Sequence, residues 1–289
     1  MIARVEDLGV RQREFADLGG GHFIGPGENG GSRAICHNHV LESVARPGDV
    51  IIGTDSHTCT AGAVGALAFG VGATDIANAW YNREILVKVP GVVRIDLDGV
   101  LRPGVCAKDV MLTLLTHPGI AGSRTLGKVL LFTGPGSATL SIDERATLCN
   151  MAVEAGGMTA LFEADELTRA HLARRTPALP APEVPTSDPG ADYASVVALD
   201  LTAVEPMVAL PGDPRNSVPL ATVHEDVRVD KVYGGSCTGG KAEDMDMYAE
   251  VFARARALRA ARGVIRSSTE AHSRMMVATN SDSCSRSSS

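Results

Sequence analysis

Residues 51–75, IIGTDSHTCTAGAVGALAFGVGATD, join an apolar run to a glycine-rich stretch, and the polar string Asp55-Ser56-His57 lies between them. Residues 49–55 read as a short buried strand, because a brief apolar run bounded by turn residues is typical of a parallel sheet. In open parallel sheets, ligands bind beyond the carboxyl ends of the strands. The stretch therefore predicts an α/β fold with a candidate site at the end of this strand.

Composition limits the class of protein. The 289 residues are 44% hydrophobic and 21% charged, which is typical of a soluble chain with more than one domain. The net charge of −7 argues against a nucleic-acid or anionic-membrane partner. We expect a cytoplasmic protein, because no apolar run is long enough to span a bilayer and the N-terminus has acidic residues where a signal peptide is apolar.

The six cysteines are scattered, and no two of them have a C-x-x-C spacing. In a reducing compartment such cysteines are free thiols or metal ligands rather than a disulfide framework. They are Cys36, Cys59, Cys106, Cys149, Cys237 and Cys284.

Further elements follow from hydrophobic period and from turn residues. Strands are predicted at 92–98, 129–134, 195–201 and 229–235, and helices within 61–87 and at 141–157 and 241–263. Five prolines make 177–189 a predicted linker, and Ser and Arg make 266–289 a predicted disordered or out-of-frame tail. We expect three domains, at 1–89, 90–198 and 199–289.

Asp55 and His57, with His37 upstream in the string AICHNH (34–39), form the first candidate site. A carboxylate that hydrogen-bonds an imidazole fixes its tautomer and raises its basicity. Two histidines and one aspartate beside a glycine-rich turn favour binding of a metal or of an anionic substrate. The alternative is that Asp55 caps the following turn and that His57 is an ordinary polar core residue.

Residues 231–245, KVYGGSCTGGKAEDM, form the second candidate site. The pattern predicts a strand, a glycine turn that presents Cys237, and a helix. A cysteine at this place is a candidate nucleophile or metal ligand, or a small buried residue in a tight turn. Residues 235–241 also come close to a P-loop, but Ala242 stands where that motif needs a hydroxyl for magnesium, so nucleotide binding is a remote alternative.

Asn150 and Glu154 are the third candidate pair. They are four residues apart in the predicted helix at 141–157 and therefore share one face of it. Such a pair is a polar stripe facing solvent or part of a site.

Three stretches together resemble the aconitase superfamily, and most of all the branch that contains the large subunits of 3-isopropylmalate dehydratase and homoaconitase. They are residues 51–75, the string TLCNMAVEAGG (147–157) and the string GGSCTGGKAEDM (234–245). The resemblance covers roughly residues 20–262. It implies aconitase-like three-layer α/β/α domains with mostly parallel sheets, of which the third is incomplete here.

The resemblance also implies an activity. Members of this superfamily are hydro-lyases that isomerise a 2-hydroxy di- or tricarboxylic acid by removing and re-adding water at a [4Fe–4S] cluster, and this branch serves leucine biosynthesis. It implies a small-molecule substrate and a separate small subunit that carries the swivelling domain. The roles it implies are catalytic pairs His37–Asp55 and His57–Glu154, substrate-binding residues Ser56 and Asn150, and cluster ligand Cys237.

The chain departs from the superfamily pattern at Gly239, which stands in place of the usual Asn after Ser-Cys-Thr, and in two missing sets of residues. The other two cluster ligands form a C-x-x-C that these 289 residues do not contain, and the early Asp-His pair is also absent. A cluster needs thiolates on at least three irons to be held firmly. Two expectations follow: a fragment of a dehydratase large subunit, or a non-catalytic remnant that retains the fold and a partner surface.

Overall fold

The computed structural model describes residues 2–25, 35–175, 185–224, 227, 230–261 and 276–277. Contacts divide the chain into two compact units, and the larger one spans Cys36–Ala278. Most of the predicted linker (177–189) and of the predicted tail (266–289) lies outside the described residues. The three-domain division stays a prediction. Among the described residues, no helix has the length and apolarity to cross a membrane.

Helices and strands alternate through the larger unit. The helices are α1 (Ile2–Gly19, in the smaller unit), α2 (Cys36–Ser43), α3 (Ala73–Asn82), α4 (Ala107–Thr116), α5 (Ile142–Asn150), α6 (Glu166–Arg175), α7 (Ser236–Gly239) and α8 (Ala242–Ala261). The strands are β1 (Val50–Gly53), β2 (Leu67–Gly70), β3 (Val92–Asp98), β4 (Val129–Thr133), β5 (Thr159–Phe162), β6 (Ser195–Asp200), β7 (Met207–Ala209), β8 (Ser217–Pro219), β9 (Tyr233–Gly234) and β10 (Met276–Val277). The longest 3-10 helix runs over Ser56–Val64, directly after β1.

Most of the strand pairing is parallel. The main sheet has the order β5-β4-β3-β6, and all three of its pairings are parallel. Strands β1 and β2 form a second parallel pair, and only β7 and β8 pair antiparallel among the described strands. The predicted α/β class with mostly parallel sheets is confirmed.

The core follows the hydrophobic pattern of the strands. In β3, Val93, Ile95 and Leu97 are fully buried and alternate with more exposed residues, so the predicted half-exposed strand is confirmed. In the neighbouring β4 and β5, the rings of Phe132 and Phe162 stack with their centroids 5.0 Å apart. This sheet is the rigid base on which the candidate site is built.

The prediction that residues 61–87 are helical is wrong in part. The 3-10 helix is followed by β2 at Leu67–Gly70, and α3 begins only at Ala73. Short apolar runs of small residues have no period that distinguishes a buried strand from a buried helix. Pairing with β1, which the local sequence does not encode, makes 67–70 a strand.

The predicted helix at 141–157 is also shorter than expected. Its start matches the sequence, because Ser141 caps the amide of Glu144 and Glu144 returns the bond in a capping box. It ends at Asn150, and turns follow up to Gly156, whose φ is +80°. Glu154 therefore does not share a helix face with Asn150.

Close backbone packing holds the 3-10 helix against β5. A Cβ atom at Gly62 would collide with the carbonyl oxygen of Ala160. Similarly, a Cβ at Gly70 of β2 would approach the carbonyl oxygen of Asp55 to 2.6 Å. Gly62 and Gly70 are thus required by the distance between backbones rather than by turn geometry.

We expect Gly62→Ala to destabilise the protein by about 3 kcal/mol, because the added methyl group meets backbone that cannot move aside. Gly9→Ala is the matched control, since Gly9 lies in α1 with open space around its Cβ position. Replacing a helical glycine by alanine stabilises by up to about 1 kcal/mol. Urea denaturation followed by circular dichroism measures both, and an unchanged midpoint for Gly62→Ala would refute the close-packing argument.

Candidate active site

Asp55 begins the site at the carboxyl end of β1. Its backbone is extended (φ −106°, ψ 139°), and it is the N-cap of the 3-10 helix. The His57 amide donates to Asp55 Oδ1 at 2.8 Å, and Thr58 Oγ1 donates to the Asp55 carbonyl at 2.6 Å. The capping role considered from the sequence is therefore real, and it fixes the carboxylate in place.

The same oxygen of Asp55 also contacts two imidazole rings. His37 Nε2 and His57 Nδ1 each lie 3.1 Å from Asp55 Oδ1. The two rings are 6.2 Å apart between centroids and tilted by 46°. The predicted hydrogen bond between His37 and Asp55 is confirmed, and capping and pairing occur together rather than as alternatives.

The electrostatics favour an ionised Asp55 beside a neutral His37. Burial is the main reason that the pKa of His37 lies below its usual range, and the charge and hydrogen bond of Asp55 oppose this only in part. The pKa of Asp55 is lowered, first by the His57 amide and then by the two rings. A neutral His37 donates from Nε2 to the carboxylate, which sets its tautomer.

Glu154 lies on the other side of His57. Its Oε1 is 3.4 Å from His57 Nε2, so the ring stands between two carboxylates. A neutral imidazole donates from one ring nitrogen only, so it cannot donate to both carboxylates unless it gains a second proton. The arrangement is suited to moving a proton between Glu154 and His57 while Asp55 stabilises the imidazolium form.

Two arginines hold the helices that carry the site. Arg175 donates at 2.7 Å to the carbonyls of Leu41 and Ala45, which satisfies the carboxyl end of α2, the helix of His37. Arg145 of α5 is fully buried and binds both carboxylate oxygens of Asp165, at 2.9 and 2.5 Å. Sequence reasoning did not identify either arginine, because their partners are distant in the sequence.

Asn150 joins two turns of the site. It is fully buried, its Nδ2 donates to Thr60 Oγ1 at 2.8 Å, and its Oδ1 accepts from Thr238 Oγ1 at 2.5 Å. Thr238 is the neighbour of Cys237, so Asn150 connects the 3-10 helix to the cysteine turn. Neither threonine was identified from the sequence.

Cys237 lies in α7 and is partly exposed, and Ser56 is exposed at the start of the 3-10 helix. Lys241 follows the cysteine turn, but its side chain is only 1% exposed and its Nζ pairs with Asp244 Oδ2 at 2.8 Å. It does not present its charge to a phosphate, so the P-loop alternative gains no support from the geometry. The roles of Ser56, Asn150 and Cys237 stay predictions.

A comparison with known families decides the relationship. The aconitase family (aconitate hydratase) matches residues 3–284 of the chain. This chain belongs to the aconitase family. The resemblance first noted in three short stretches is therefore confirmed over nearly the whole sequence.

Individual relatives agree with the family assignment. The chain is 39% identical over 249 residues to 3-isopropylmalate dehydratase large subunit 2 of Rubrobacter xylanophilus, a match that covers 86% of this chain and 57% of that protein. It is 41% identical over 230 residues to the large subunit of Syntrophus aciditrophicus, covering 80% and 53%. For the chloroplastic large subunit of Arabidopsis thaliana the identity is 41% over 221 residues, covering 76% and 42%. The chain thus spans about half the length of these curated relatives.

The thiols of the described residues do not fit the [4Fe–4S] cluster that the family implies. Burial raises the pKa of Cys59 to about 12 and that of Cys106 to about 11, and it also raises the pKa of Cys149. Cys59 is further engaged with the Asn150 carbonyl at 3.5 Å. A [4Fe–4S] cluster needs thiolates on at least three irons to be held firmly. In the described part of the chain, no group of three or more His, Cys, Asp or Glu side chains could hold a metal ion.

We expect Asp55→Asn to lower the pKa of His37 further, because the substitution removes the carboxylate charge that partly offsets burial. The measurement is an NMR titration of the His37 ring in the wild type and the variant. Asp17→Asn, a change at an exposed position of α1, is the control and should leave the titration unchanged. A His37 pKa that rises or stays constant in Asp55→Asn would contradict the assigned pairing.

Proposed function

We propose that this chain carries the acid–base part of a hydro-lyase site of the 3-isopropylmalate dehydratase type. The single observation that supports this most is the position of His57 between the carboxylates of Asp55 and Glu154. A hydro-lyase breaks one C–H and one C–O bond of a hydroxy acid, forms a C=C bond and releases water. It must protonate the departing hydroxyl and take that proton back in the reverse direction.

The relay of His57 and Glu154 is suited to that proton. Glu154 Oε2 is a buried atom with no hydrogen-bond partner among the described residues, so this carboxyl oxygen is available to carry a proton. When Glu154 gives up its proton, His57 can supply the next one through Nε2. Asp55 stabilises the doubly protonated ring before this transfer, as carboxylates do for catalytic histidines, and the ring is neutral after it.

The substrate we propose is a 2-hydroxy di- or tricarboxylic acid, and Ser56 is the proposed contact for one of its carboxylates. Ser56 supports this role because it is exposed beside Asp55 at the carboxyl end of β1. The relatives are named large subunits, so we also propose a small subunit as partner. The five cysteines among the described residues are free thiols, which is consistent with the reducing cytoplasm as the proposed compartment.

A second candidate function is a non-catalytic remnant that binds a partner. This candidate requires no cluster, and among the described residues one thiol, Cys237, matches a ligand position that the resemblance implies. The two candidates differ in whether proton relay residues matter for turnover.

The test of the relay uses this chain extended by the C-x-x-C-containing segment of a relative and mixed with that relative's small subunit. We expect this complex to hydrate an alkene diacid and Glu154→Gln to lower kcat about 100-fold or more, the usual range for loss of a general acid. Glu166→Gln, at an 86% exposed carboxylate, is the matched control. Hydration by the parent complex with no loss in Glu154→Gln would refute the relay, and no hydration at all would favour the remnant.

Iron and sulfide analysis tests the donor set separately. We expect the 289-residue chain to retain far fewer than the four irons of a cubane after anaerobic reconstitution, because one matched thiolate cannot replace three. The extended chain is the control and should approach four. Close to four irons in the 289-residue chain, with the absorbance of thiolate-to-iron bands, would show that other cysteines serve as ligands.

A further inference from the structure

Lys241 has no place in the function proposed above, yet it is one of the most completely paired charges in the structure. Its side chain is 1% exposed. Its Nζ lies 2.8 Å from Asp244 Oδ2, 2.9 Å from Thr147 Oγ1 and 2.6 Å from the Thr238 carbonyl oxygen. An ammonium group has three donors, so these three acceptors match it in number.

We propose that Lys241 is a positioning residue that fixes the turn of Cys237 to helix α5. The three contacts lie on three separate elements: Asp244 is in the first turn of α8, Thr147 is in α5, and Thr238 is in α7 beside the cysteine. A buried charge that loses its partners is strongly destabilising, so each contact resists displacement of the others. The turn is thereby held from two sides at once.

The turn needs such a restraint because its backbone is strained. Ser236 has φ +72°, in the left-handed region that residues other than glycine rarely adopt. The helix α7 that follows Gly235 has only four residues, so it contributes few hydrogen bonds of its own. Strained conformations of this kind persist only where surrounding contacts fix them.

A continuous series of hydrogen bonds extends this restraint from Lys241 to His57. Thr238 accepts from Lys241 with its carbonyl and donates with Oγ1 to Asn150 Oδ1. Asn150 donates to Thr60 Oγ1, and Thr60 donates to the His57 carbonyl at 2.7 Å. Lys241 therefore sets the position of Cys237 relative to His57.

Only the importance of Lys241 for catalysis rests on the proposed function. The accessibility of the cysteine turn can be measured without turnover. The probe is iodoacetamide, and mass spectrometry of the folded 289-residue chain gives the alkylation rate of Cys237 relative to that of free glutathione in the same reaction. Free glutathione is the reference because Cys36, although exposed, lies close enough to Cys237 for their charges to interact. We expect Lys241→Met to raise this ratio about tenfold, because loss of a charged buried hydrogen-bonding group makes local opening more frequent.

Two further variants separate positioning from general stability. Lys241→Arg retains charge and donors and should restore the ratio to within about threefold of wild type. Lys108→Met makes the same chemical change at an exposed position of α4 and should leave the ratio unchanged. If Lys241→Met does not fold, Thr147→Val replaces it, since this variant removes one acceptor and keeps the side-chain shape; we expect a smaller rise of about threefold.

A double-mutant cycle tests the route through the turn. Thr238→Val removes the bond to Asn150, and its effect on the alkylation ratio should not multiply with that of Lys241→Met, because both variants release the same turn. An unchanged ratio in folded Lys241→Met or Thr147→Val would overturn the proposal, as would an equal rise in Lys108→Met or failure of Lys241→Arg to restore the ratio. None of these outcomes depends on dehydratase activity. Failure of the proposed function can therefore be distinguished from failure of the positioning role of Lys241.

Discussion

The site depends on one oxygen atom. Asp55 Oδ1 accepts from the amide of His57 and contacts the rings of His37 and His57 at the same time. The end of β1, the start of the 3-10 helix and helix α2 are therefore positioned by a single carboxylate. Because His37 is buried and its pKa is lowered, the helix that carries it is fixed by a neutral ring that donates to an anion.

Packing of small residues restrains the backbone on either side of that carboxylate, whose own side chain is 58% exposed. The 3-10 helix approaches β5 so closely at Gly62 that no side chain fits, and β2 approaches Asp55 in the same way at Gly70. Protein interiors packed to this density resist deformation, so the backbone that carries the carboxylate has little room to shift. The glycines and alanines of 61–70 are therefore as much a part of the site as the polar residues that precede them.

Much of this was predictable from sequence, and the limits have physical causes. The strand before Asp55 and the alternation of β3 follow from local pattern, and the pairing of His37 with Asp55 followed from resemblance. Strand β2 and the early end of α5 could not be predicted from the sequence, because tertiary pairing overrides weak local signals. In the sequence, Lys241 was considered only as part of a possible P-loop, which the structure does not support. Its burial and its contact with Thr147 cannot be read from a single sequence.

The central claim is that Asp55 accepts a hydrogen bond from the Nε2 of a neutral His37. A long-range ¹H–¹⁵N correlation spectrum of the histidine side chains near neutral pH reports directly which ring nitrogen carries the proton. We expect His37 to be protonated on Nε2 and unprotonated on Nδ1. A spectrum in which His37 carries its proton on Nδ1 alone would show that Asp55 does not receive this bond, and it would contradict the arrangement on which the site depends.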